Sequence, residues 1–76
     1  MPPLSELLAG QAGLVTGVQG ADGVSLRLME MGLLEGEHIE VVGFAPLGDP
    51  MEIRLQDYRL SLRKSEAARV FVTLDY

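Results

Sequence analysis

The sequence contains no cysteine and no tryptophan, and it has one histidine among its 76 residues. The lack of cysteine excludes disulfides and thiolate metal ligands, and it is typical of proteins from a reducing compartment. The single histidine, His38, alternates with the apolar Ile39 in a predicted strand and therefore faces solvent. Because this histidine is in an outward position, has no cysteine to pair with and has no serine near it in sequence, we expect a protein that is not an enzyme.

Long apolar runs and targeting signals are also missing. No apolar stretch approaches the ~18 residues that a membrane-spanning helix needs. The first residues, 1–6, lack the basic and apolar regions of a secretory signal. We therefore expect a cytoplasmic protein without direct membrane insertion. Its length favours a single domain over residues 1–76, with a core to which every element contributes.

Basic residues are rare in the first two thirds of the chain. Residues 1–50 hold seven acids and one base, Arg27, whereas residues 51–76 hold four acids and five bases, and the formal net charge is −5. Since phosphate binding requires a net positive face, we expect no nucleic-acid partner. The basic cluster towards the C-terminus could instead dock an acidic protein surface.

Five short stretches alternate apolar and polar residues and are predicted strands, at 14–18, 38–44, 51–55, 58–63 and 69–74. A short helix over 24–31, capped by Asp22 and ended by Gly32, is predicted between the first and second strands. This order predicts an all-β fold, a small five-stranded, SH3-like, partly open barrel with an inserted short helix. An OB-fold, whose helix normally lies between the third and fourth strands, fits less well.

The segment Phe44–Pro50 has two prolines, a glycine and an aspartate, so it must be an ordered turn between two strands. We expect the Asp49 carboxylate to accept hydrogen bonds from the amides of this turn. A second turn is predicted near the N-terminus, where Ser5 is the expected helix cap.

Two apolar side chains of the predicted helix, Leu26 and Met29, lie outside the stripe of residues that faces the core. They either form a second contact face or pack beneath the N-terminal turn.

In its motifs, the chain resembles the ferrous-iron transport protein A (FeoA) family. The residues that carry the resemblance are Arg27-Leu28, Glu30-Met31-Gly32-Leu33, Gly36, Ala45 to Pro50, and Leu60 to Ala67. The resemblance implies an SH3-like cytoplasmic partner of the ferrous-iron permease FeoB. Asp57 departs from the pattern, because the family often carries glycine there, and we expect it to take left-handed backbone.

Under this resemblance, we predict that the chain docks on the cytoplasmic part of FeoB and modulates it. The predicted contact residues are Leu26, Met29, Leu33, Pro46, Leu47, Gly48, Asp49, Pro50 and Arg63. Arg63 could alternatively pair with Asp49 or Glu66. An exposed strand edge can pair with a second copy of the chain, so a homo-oligomer is a further alternative.

Metal binding is a second hypothesis, as a direct Fe²⁺ sensor or chaperone. The weak candidates for Fe²⁺ or another divalent metal are His38, Glu35 and Glu40, because iron favours imidazole and carboxylate ligands. A solvated acidic edge is the alternative for these residues, and no cofactor is expected. A stand-alone relative of the SH3-like domain of iron-dependent repressors is a further alternative.

Overall fold

The computed structural model describes residues 1–75, and these form one sheet with three short helical segments. In chain order the elements are a 3₁₀ turn (Leu4–Glu6), β1 (Ala12–Val18), α1 (Gly23–Glu30), β2 (His38–Phe44), β3 (Met51–Leu55), β4 (Tyr58–Leu62), α2 (Lys64–Ala67) and β5 (Val70–Leu74). The predicted bounds of β2 and β3 are confirmed, and the other predicted elements differ by one or two residues.

The five strands form an antiparallel sheet in the order β4-β3-β2-β1-β5. Strands β4 and β5 lie at opposite edges and do not pair with each other, so the barrel stays open. The register shifts between Val15 and Gly17 in β1 and between Val41 and Gly43 in β2. Such bulges bend a strand, which lets two central strands curve the sheet around one core. The predicted all-β fold class with an inserted helix is therefore confirmed.

The core lies inside this curved sheet and is closed by α1 and the N-terminal turn. Alternate residues of the strands point inward, as in β2, where Ile39 and Val41 are fully buried while His38 is exposed. The helix contributes Leu28, which is also fully buried.

Leu33 belongs to this core, so the prediction that it is a contact residue is wrong. It has no exposed area. Gly32 takes a φ of +108°, and the amide of Leu33 donates to the carbonyl of Leu28 at 3.2 Å. The chain thus reverses at the end of α1 and turns the leucine side chain inward.

Two local predictions about turns are also wrong. Ser5 lies within the 3₁₀ turn, whose preceding residue is Pro3, and no side chain caps it. In the β3–β4 hairpin the left-handed residue is Gln56, with a φ of 49°, and not Asp57. The two-residue loop requires the positive φ at its first position, although neither residue is glycine.

The predicted cap of α1 is confirmed. Asp22 accepts a hydrogen bond from the Ser25 amide at 3.1 Å, and its carboxylate also pairs with Arg69 at 2.6 Å. Arg69, with the Ser25 amide, lowers the pKa of Asp22 from 3.8 to about 2. The cap is thereby joined to the segment between α2 and β5.

We expect the Asp22→Asn variant to lose this ion pair while keeping the cap, because asparagine is an equally good N-cap. The lowered folded-state pKa means that the contribution of Asp22 is present above pH 3.8 and is lost as the pH falls through about 2. The variant should therefore be less stable than wild type near neutrality, and the gap should close towards pH 2. Urea unfolding of both proteins across this range measures the gap, with Asp57→Asn as a control. A gap that is constant with pH would contradict the assignment.

None of the helices in the described part of the chain is long and apolar enough to cross a membrane.

Candidate partner-docking surface

The loop between β2 and β3, Ala45–Pro50, is closed by its own backbone. The Ala45 amide donates to the Pro50 carbonyl at 3.0 Å, and the Gly48 amide donates to the Ala45 carbonyl at 2.7 Å. Gly48 has a φ of +90°, which glycine adopts without the steric cost of a side chain, and the Asp49–Pro50 peptide is cis. The predicted ordered turn is confirmed, and the hydrogen bonds inside it are made by backbone groups.

Asp49 connects this loop to a different part of the chain. Its carboxylate accepts a hydrogen bond from the Lys64 amide, at the start of α2, at 3.0 Å. Among residues 1–75, it accepts none of the expected hydrogen bonds from the amides of the turn itself. The expectation was wrong because the β3–β4 hairpin brings the start of α2 close to the end of the loop. The Lys64 amide has no partner within the helix there, so the Asp49 carboxylate accepts its hydrogen bond. The loop is therefore anchored at both its own base and α2.

The side chains of the anchored loop point into solvent. Leu47 is 98% exposed, and Pro46, Asp49 and Pro50 are exposed as well, while Gly48 is partly buried. A fully exposed leucine at the tip of a hydrogen-bonded loop gains nothing for the fold, so its apolar surface is available to another molecule.

A groove of about 590 Å³, called here the loop groove, lies beside this loop. Its walls include Leu7, Leu8, Phe44, Pro46, Gly48 and Lys64. Leu8, which is 67% exposed, and Phe44 were not among the predicted contact residues. A signal for Leu8 existed, because Leu4 and Leu7 already supply the inward side of the N-terminal turn. The loop and the N-terminal turn thus form one apolar surface.

Leu26 and Met29 lie at a second groove, called here the helix groove, of about 440 Å³. They are 56% and 37% exposed, so the alternative in which they pack beneath the N-terminal turn is wrong. That turn packs against α2 and β5 instead. The helix groove has no lining residue in common with the loop groove, so the structure does not join the two predicted patches into one.

Arg63 makes neither of the ion pairs considered for it. Its amide donates to Glu66 at 3.2 Å, but the Glu66 carboxylate forms its ion pair with Arg27 of α1. The Arg63 side chain is exposed and precedes α2. Arg63 is therefore an exposed cation directly before Lys64, which lines the loop groove.

Two of the three weak metal candidates form ion pairs with other side chains, and the third lies in a turn. His38 pairs with Asp75 at 2.7 Å, and Glu40 pairs with Arg54, while Glu35 is exposed in the turn before β2. Within residues 1–75 there is no cluster of three or more histidine, aspartate or glutamate side chains able to hold a metal ion. The hypothesis of direct Fe²⁺ binding remains a prediction without a built site.

Comparison with known proteins gives the family. A model described as the FeoA domain matches residues 3–74, nearly the whole chain. The chain belongs to the FeoA family. A relative from Porphyromonas gingivalis is a fusion of Fe(2+) transport protein A with the Fe(2+) transporter FeoB, 42% identical over 71 residues. That match covers 93% of this chain but 8% of the fusion protein.

Solved FeoA structures share the fold. The FeoA protein of Chlorobium tepidum is 42% identical with a TM-score of 0.86, and the match covers 95% of this chain and 69% of that one. A FeoA from Stenotrophomonas maltophilia, complexed with zinc and described as a prokaryotic SH3 domain protein, is 36% identical with a TM-score of 0.82. The match covers 92% of this chain and 87% of that one. The predicted SH3-like fold and FeoA resemblance are confirmed, and the FeoA family is associated with ferrous iron transport.

Proposed function

We propose that this FeoA chain docks on the cytoplasmic part of a FeoB-type ferrous-iron permease and modulates it. The observation that carries the proposal is the fusion protein of P. gingivalis, in which a domain 42% identical to this chain is joined to FeoB. Fusion of two functions in one chain keeps them together in space, so it supports a physical association of the separate proteins as well.

The contact draws its free energy from the surface of this domain. A flexible tether between two modules raises their effective concentration to about a millimolar, but it adds no contact of its own. The cost of association is met by surface that becomes buried. The apolar side chains that the fold exposes are therefore the candidates for the contact.

The loop Ala45–Pro50 is the surface best prepared for this contact. It is held by two internal backbone hydrogen bonds and by the Asp49–Lys64 bond, so little conformational entropy is lost when it binds. Leu47 offers a fully exposed apolar anchor at its tip, with Pro46 and Pro50 beside it. Leu26 and Met29 of the helix groove form a second, smaller contact.

Docking modulates the permease only if the loop binds one of its conformations more tightly than another, because a ligand with equal affinity for both shifts nothing. The loop is rigid, so it selects a permease conformation that presents a complementary apolar site. This is the action of an accessory protein and not of an enzyme.

We expect the Leu47→Ala variant to bind the soluble cytoplasmic domain of the permease about tenfold more weakly, as removal of a central apolar anchor typically does. Its free energy of unfolding should stay within about 0.5 kcal/mol of wild type, because the side chain is 98% exposed. Asp49→Ala should also weaken binding, since it frees the loop from α2. Calorimetric titration measures both affinities.

Leu34→Ala is the matched control. Leu34 is 49% exposed and lines neither groove, so this variant should bind like wild type. Equal affinities for wild type, Leu47→Ala and Asp49→Ala, with all three folded, would exclude the loop as the contact.

A further inference from the structure

Two adjacent cations, Arg63 and Lys64, have no carboxylate partner among residues 1–75. Every other lysine or arginine side chain is paired, in the ion pairs Arg27–Glu66, Arg54–Glu40, Arg59–Glu52 and Arg69–Asp22. Acids outnumber bases by 11 to 6 in the chain, so carboxylates are plentiful. Unpaired positive charge is nevertheless concentrated at one place in an acidic protein.

Lys64 is one of the residues that line the loop groove, and Arg63 directly precedes it in the chain. The ammonium of Lys64 lies 5.3 Å from the centroid of the Phe44 ring, which attracts a cation through its negative face. The amide of the same residue is bonded to Asp49, so backbone and side chain are both held. The charge therefore sits in a defined position beside apolar walls formed by Leu8 and Phe44.

We propose that the loop groove takes an acidic peptide segment of the partner, in which an apolar anchor is accompanied by one or two carboxylates. The anchor fills the groove between Leu8 and Phe44, and the carboxylates pair with Lys64 and Arg63. This inference rests on the proposed docking function and names the chemistry of the partner at the same surface. Apolar burial supplies most of the affinity, while the charge pairs set the orientation and the association rate.

An anionic membrane fits these observations less well. Electrostatic binding to lipid headgroups uses clusters of about four to eight basic residues, whereas this groove is lined by one, Lys64, with Arg63 next to it in the chain, and also carries Glu6. The net charge of −5 would oppose approach to an anionic bilayer. A second copy of the chain is the other alternative, because the exposed Leu34 is followed by Glu35.

The first test does not depend on which protein is the partner. Short random peptides displayed on phage are selected on the wild-type chain, on Arg63→Gln/Lys64→Gln and on the control Arg54→Gln/Arg59→Gln. Both double variants remove two exposed cations, so they change the net charge equally, but the control cations are already paired within the chain. Peptides selected on wild type and control should combine an aliphatic or aromatic residue with aspartate or glutamate.

These peptides should bind Arg63→Gln/Lys64→Gln about tenfold more weakly at low salt, and their affinity for wild type should fall as salt is added. The proposal is overturned if no peptides are retained, if they show no acidic residues, or if both double variants bind them equally. It is also overturned if wild type binds vesicles containing phosphatidylserine, or forms a dimer that the Arg63→Gln/Lys64→Gln variant abolishes.

A titration with the permease's soluble cytoplasmic domain separates this inference from the docking function. If that domain binds wild type and Arg63→Gln/Lys64→Gln with the same affinity and salt dependence, docking stands and the acidic segment is excluded. If acidic peptides are selected but the domain does not bind at all, the groove chemistry stands and FeoB is not the partner.

Discussion

Replacement of Gly13 by alanine is expected to lower the free energy of unfolding by about 3 kcal/mol or more, a large part of the stability of a domain this small. Gly13 lies in β1 and pairs with both β2 and β5. A Cβ atom at this position would lie 2.1 Å from the carbonyl oxygen of Thr73 and 2.9 Å from its carbonyl carbon. Both are backbone atoms, so no side-chain rotation can relieve the clash and β1 must move away from β5.

Gly17→Ala is the matched control for this prediction. Gly17 lies in the same strand, and a Cβ atom there would meet no described atom within 4 Å. We expect its free energy of unfolding to stay within about 1 kcal/mol of wild type. Urea denaturation of the three proteins gives the comparison, and similar losses for both alanine variants would contradict the close approach of β1 and β5.

Replacement of Leu28 by alanine is the second change with a large expected effect. The side chain is fully buried beneath the sheet, and leucine-to-alanine changes in such positions cost about 2–5 kcal/mol through lost burial and the cavity left behind. Thermal unfolding should show a clearly lowered melting temperature.

The control is two residues away in the same helix. Leu26 is 56% exposed at the helix groove, so Leu26→Ala should cost less than about 1 kcal/mol. The same chemical change in one helix thus separates burial from helix propensity, which is equal for the two variants. If Leu26→Ala is as destabilising as Leu28→Ala, the orientation of α1 in the structure is wrong.

The orientation of α1 could be predicted because it follows from local spacing. The cap at Asp22 and the glycine at position 32 mark its ends, and the apolar repeat places Leu28 inward. The strands β2 and β3 were predicted in the same way from alternation. Leu33 was not, because it belongs to no periodic element and its direction depends on how the chain reverses after the helix.

The candidate site was predictable in part. The shape of the loop Ala45–Pro50 follows from its own prolines and glycine, and the exposure of Leu47 agrees with the prediction. The loop groove was missed, because Leu8 and Phe44 belong to segments far apart in the chain that meet only in the folded domain. The partner of Asp49 was missed for the same reason, since Lys64 lies 15 residues further along.

By itself, then, the sequence determined the five strands, the inserted helix, the ordered loop and the FeoA motifs, all of which depend on neighbours within a few residues. Only the tertiary structure decided which charges pair. Glu66 was available to Arg63 in sequence but is taken by Arg27 across the fold, and Asp49 bonds an amide of α2 and not a cation. Long-range contacts of this kind depend on how hairpins and helices pack. Only the folded chain therefore showed that Lys64 lines the loop groove and that neither Arg63 nor Lys64 has a carboxylate partner among residues 1–75.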